Sequence, residues 1–115
     1  VHGLRRVTRL VAPGGTGGPG PARAWLVSGI ARPDAFAKSV QAVGVEVLAH
    51  AVFRDHHVYT PDDARALAAR FRQAPEAAMI TTEKDWVKLQ RFDWGGIDVR
   101  IARLDVEWVG DGVRV

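Results

Sequence analysis

Cysteine is absent from the 115 residues, and methionine and tyrosine occur once each. Without cysteine there is no disulfide framework, no thiolate metal ligand and no cysteine nucleophile. No apolar run reaches the ~20 residues a helix needs to cross a bilayer. Runs of positive charge are missing too: no stretch of Lys or Arg exceeds two residues, although the net charge is +3 and the pI near 10.0. Arginines scattered in this way argue for a solvated surface and against a nucleic-acid stripe. No nucleic-acid partner is expected, and only binding that survives physiological salt would revive one. The chain opens on Val1 rather than Met, as a fragment or a processed chain would.

The residues present, 47% hydrophobic and 25% charged, suit one globular domain. The first eleven, VHGLRRVTRLV, are strongly basic with room for a short strand. APGGTGGPGPA follows, in which eight of eleven residues are Gly or Pro. That density excludes regular structure and reads as a linker. Residues 1–22 are therefore expected to be a basic segment and linker, and residues 23–115 the domain. GGTGG imitates a phosphate-binding loop, but no Gly-Lys-Ser/Thr follows it and prolines flank it.

From residue 22 the pattern alternates. Apolar runs at 22–30, 45–53 and 77–82 predict buried strands, and 97–109 a fourth. Helices are predicted between them. Pro33 opens the first, with Phe36, Ala37, Val40 and Val43 on one face and Gly44 just past its end. Thr60, Pro61, Asp62 and Asp63 start the second, whose apolar face is Ala64, Leu67, Ala68 and Phe71. Thr82 and Glu83 start a short third. The expected class is α/β, a mostly parallel sheet with flanking helices in Rossmann-like αβα layers.

In such a sheet, ligands bind where the strands end. Three strands end in polar turns: Ser28-Gly29-Ile30-Ala31-Arg32, Arg54-Asp55-His56-His57 and Thr81-Thr82-Glu83-Lys84-Asp85. Parallel pairing puts all three on one edge, each at a helix N-terminus that favours anions. Plainer readings stand beside this one. Asp55 can brace its turn, and Tyr59 can pack on the helix with its hydroxyl near water. Thr82 and Glu83 can be no more than a helix start, and Lys84 and Asp85 surface residues. Adjacent histidines on an extended segment point to opposite faces, which argues against a shared zinc, and no metal site is expected.

VSGIARPDAF, FRDHHVYTPDD and MITTEKDWVKL, in this order and spacing, resemble the C-terminal half of tetraacyldisaccharide 4'-kinase, the lipid A 4'-kinase of Gram-negative bacteria. The resemblance covers residues 24–109. His56 matches the histidine of the family's Asp-His motif, and His57 falls where the family varies more. Thr82, Glu83, Lys84 and Asp85 match its Thr-Glu-Lys-Asp motif. The resemblance implies a P-loop NTPase-like fold of which this is the C-terminal subdomain. It implies transfer of the ATP γ-phosphoryl group to the 4'-hydroxyl of tetraacyldisaccharide 1-phosphate, with Mg2+, at the cytoplasmic face of the inner membrane. His56 would act with an aspartate of the N-terminal half, and Asp55 would orient the imidazole. Thr82, Glu83 and Lys84 would shape the neighbouring loop, with Lys84 and Asp85 in an ion pair or cap rather than in catalysis.

One departure is large. The family's P-loop, magnesium-binding acids and membrane-facing helix belong to its N-terminal half and are not among these residues. The chain alone is therefore expected neither to bind ATP or Mg2+ tightly nor to turn ATP over. The competing expectation is a non-catalytic α/β binding module or a truncated remnant.

Overall fold

The structure, a computed structural model, describes residues 3–14 and 20–109. In chain order the elements are β1 (Gly3–Val11), β2 (Arg23–Ser28), α1 (Pro33–Ala42), β3 (Glu46–Val52), α2 (Pro61–Phe71), β4 (Ala78–Thr82), α3 (Glu83–Leu89) and β5 (Val99–Val109). The five strands form one sheet in the order β1-β5-β4-β2-β3. Pairings β2–β3, β2–β4 and β4–β5 are parallel, and β1 runs antiparallel to β5.

Alternation along the strands explains the layers. Val27 and Met79 face one side, where they join Leu67, Phe71 and Leu89 from α2 and α3. Leu26 and Ile80 face the other, where they meet Phe36 and Val40 of α1. Each of these four strand side chains is fully buried, a gain of about 1.5–3 kcal/mol apiece before chain entropy is counted. The α2 face comes out as its period predicts, with Ala64, Leu67, Ala68 and Phe71 all buried. On α1, Phe36 and Val40 are buried, but Val43 caps the helix and is exposed. Gly44 turns the chain out of the helix at φ 92°.

One boundary differs from expectation. The basic opening segment is not separate from the sheet: Gly3–Val11 pairs in register with Val109 back to Ile101. Its charges do not prevent this because β1 is an edge strand, where outward-facing arginines such as Arg9, ion-paired to Asp105, stay in solvent. Residues 15–19, the centre of the Gly/Pro-rich stretch and most of GGTGG, lie outside the described residues.

Candidate functional site

The parallel pairing of β3, β2 and β4 brings their three terminal turns to one edge, and hydrogen bonds tie them together. At the end of β2, the Ser28 carbonyl accepts from Phe53 N–H (2.7 Å) and the Ser28 hydroxyl meets His50 Nε2 (2.7 Å). Gly29 N–H donates to both carboxylate oxygens of Asp85, each at 3.1 Å. The Gly29 carbonyl accepts from His56 N–H (3.2 Å). A side chain at residue 29 would be crowded, since its Cβ would lie 3.1 Å from the Arg54 carbonyl and 3.2 Å from the Tyr59 hydroxyl and these would have to give way slightly.

The turn after β3 closes with His57 N–H donating to the Arg54 carbonyl (3.1 Å). His56 occupies its third position with φ 63°, a conformation usually left to glycine or asparagine. Holding a histidine there costs about 1–2 kcal/mol. Its side chain is 74% exposed, with Nε2 3.6 Å from Asp55 Oδ2. Asp55 Oδ1 lies 3.8 Å from Lys84 Nζ, so Asp55 sits between the His56 ring and the Lys84 ammonium.

His57 does different work. It stacks on Phe53 (4.5 Å between centroids) and shares a 2.8 Å hydrogen bond through Nε2 with Asp63 Oδ2. That bond, and the backbone N–H of Thr60, hold the Asp63 carboxyl below the usual carboxylate range. The two histidines are kept apart by the left-handed turn at His56 and not, as expected, by alternation along an extended segment.

Tyr59 and Asp85 also correct the sequence reading. Tyr59 is 1% exposed, and its hydroxyl donates to Asp85 Oδ1 (2.9 Å) instead of reaching water. Burial, then the Asp85 charge, raise its pKa far above the ordinary phenol value, so it stays a donor. Asp85 is no surface residue: it is 1% exposed, and besides Gly29 and Tyr59 it accepts from the Thr82 hydroxyl (2.6 Å). Thr82 in turn accepts from Asp85 N–H (3.0 Å) and caps α3. Glu83 and Lys84 are exposed beside them.

The structure thus gathers Asp55, His56, Thr82, Glu83, Lys84 and Asp85 at one edge, and adds Gly29 and Tyr59. The sequence signal for Gly29 was its place directly after a buried strand. For Tyr59, the chain's one tyrosine, there was no signal of its partner. The carboxylates here do not fit a magnesium ion. Asp85 is saturated, Asp55 is engaged by His56 and Lys84, and no cluster of three metal-ligating side chains occurs among the described residues. A cavity of about 580 Å³ lies at the opposite ends of the parallel strands, around residues 8–11, 20–22 and 43–45, with no acid–base pair.

Fold and edge together define a mostly parallel α/β domain that presents an exposed histidine beside an aspartate where its strands end. The family model for tetraacyldisaccharide-1-P 4'-kinase, LpxK, matches residues 8–111, and the chain belongs to that family. It is 41% identical over 68 residues to tetraacyldisaccharide 4'-kinase of Bdellovibrio bacteriovorus, covering 59% of this chain and 20% of that protein. With the enzyme of the same name from Methylorubrum populi it shares 40% identity over 96 residues, 84% of this chain and 29% of the other. Its fold resembles that of Aquifex aeolicus LpxK, solved in complex with ATP, with a TM-score of 0.61 at 19% identity over 96% of this chain and 33% of that one. The chain therefore spans roughly a fifth to a third of the length of these relatives.

Proposed function

We propose that this chain forms the C-terminal part of a lipid A 4'-kinase and contributes His56 to an active site completed by an N-terminal half. The reaction is transfer of the ATP γ-phosphoryl group to the 4'-hydroxyl of tetraacyldisaccharide 1-phosphate, at the cytoplasmic face of the inner membrane. The observation that carries the proposal is His56 itself. In a motif matching the family's, it is held in a left-handed conformation with its imidazole turned out from the strand ends. Backbone strain of this kind persists where the surroundings enforce it and clusters at functional sites.

The role follows from the acceptor. A sugar hydroxyl must lose its proton as it attacks phosphorus, and imidazole is the side chain best suited to take a proton near neutral pH. His56 takes that proton directly or holds the carboxylate that does, and Asp55 orients the ring. Thr82 fixes the neighbouring loop as a cap, and Glu83 and Lys84 line it. Nucleotide and Mg2+, which neutralise charge on the transferred group, are assigned to the N-terminal half.

The test is complementation. The purified 115-residue chain is expected to show no ATP turnover. Joined behind the N-terminal half of a relative, it should restore ATP-dependent phosphorylation of the lipid disaccharide. Phosphate transfer by the chain alone, or a folded chimera without activity, would count against the proposal.

A further inference from the structure

We infer that Asp85 is a positioning residue for His56, acting through the peptide of Gly29. This rests on the role given to His56 above. Asp85 binds the Gly29 N–H through both oxygens, and the carbonyl of the same residue receives the N–H of His56. One residue thus separates a fully buried carboxylate from the backbone that holds the catalytic imidazole in its left-handed turn. Space beside Gly29 is tight, since a Cβ there would lie 3.1 Å from the Arg54 carbonyl and 3.2 Å from the Tyr59 hydroxyl.

A helix cap does not explain this arrangement. Asp63 of α2 and Asp85 of α3 occupy the same position, three residues after a capping threonine. Asp63 turns its carboxylate back to Thr60 N–H and completes a capping box with its side chain partly in solvent. The Asp85 carboxylate goes fully under the surface and collects donors from the first and third turns, Gly29 and Thr82, and from Tyr59 two residues past the second. Burying a carboxylate is unfavourable unless its oxygens are fully bonded. Here they are, and what the bonds fix is the relative placement of the turns. Two side chains, one near the end of α3 and one just past it, point the same way. Lys88 Nζ donates to the His57 carbonyl (3.1 Å) and an Arg91 guanidinium N–H to the Tyr59 carbonyl (2.7 Å). Residues 85, 88 and 91, spaced by three, clamp the segment that follows His56.

Two readouts test the inference. In the 115-residue chain, Asp85→Asn should lower amide-exchange protection at His56 at least tenfold more than at Ile80 in the core. In the active chimera, the same substitution should lower kcat at least tenfold with KM within about threefold, since His56 is misaimed while binding surfaces persist. His56 exchange that changes only in step with Ile80, or an unchanged kcat, would overturn it. Should Asp85→Asn fail to fold, Tyr59→Phe removes one donor. It must then loosen His56 about threefold more than Ile80, and equal exchange would overturn the inference. The two readings fail separately. If His56→Ala leaves the chimera's activity intact, the kinase role is lost, while exchange still decides whether Asp85 governs His56.

Discussion

At the scale of single residues, two titrating groups shape the acid side of the stability profile, one below pH 6.5 and the other below pH 3.8. His50 is partly buried and its pKa is lowered by desolvation, with the Ser28 hydroxyl as its neighbour. The unfolded chain takes up that proton first, so stability is full above pH 6.5 and falls as pH drops from there through the folded pKa. Thermal unfolding between pH 7 and 5 should show this fall, and His50→Gln, which keeps a partner for Ser28, should flatten it. Asp63 has a depressed pKa, held down first by His57 and then by Thr60 N–H. Its stabilisation is present above pH 3.8 and is lost as pH falls through the folded value. Asp63→Asn should therefore be less stable than the parent at pH 7, with the gap closing below pH 3.8. A gap that stays constant with pH would show that the His57 pairing contributes nothing. Residue-scale features were the least legible in the sequence. His56 stood out by type, but its φ depends on bonds to Gly29, 27 positions earlier. Asp85 looked like a surface acid because nothing local reveals Gly29 N–H and Tyr59 O–H converging on it.

Elements were read more easily, because their signals are local. Thr60, Pro61 and Asp63 write the start of α2 in four residues, and the structure has the full capping box. Thr60→Ala should cost about 1 kcal/mol, which for a domain of this size lowers the melting temperature by about 4 °C. No change in melting temperature would mean the box is not formed. Thr82 caps α3 just as locally. β1 was the element the pattern undervalued. Its arginines resemble a tail, and its partner β5 lies some ninety residues on, so only long-range pairing makes it a strand. A chain starting at Arg23 should thus leave β5 with an unpaired edge and unfold at lower temperature. Equal stability of the two chains would show that β1 adds nothing to the sheet.

For the whole molecule, the alternation of strands and helices was enough to predict a parallel sheet with its polar turns on one edge, and β2–β3 and β2–β4 pair in that way. Under the proposed function, the other side of the site comes from an N-terminal half. The edge presents His56 beside Asp55, and no cluster of three metal-ligating side chains occurs among the described residues. The central claim is that His56 moves or guides the acceptor's proton. It is tested most directly by comparing kcat of the chimera with and without His56→Ala, using ATP and the lipid disaccharide at saturating concentration. Loss of a positioned proton acceptor predicts a fall of about 10²–10⁴-fold. A kcat within a factor of about two of the parent's, less than ~0.5 kcal/mol of barrier, would contradict the claim and leave the histidine turn as architecture.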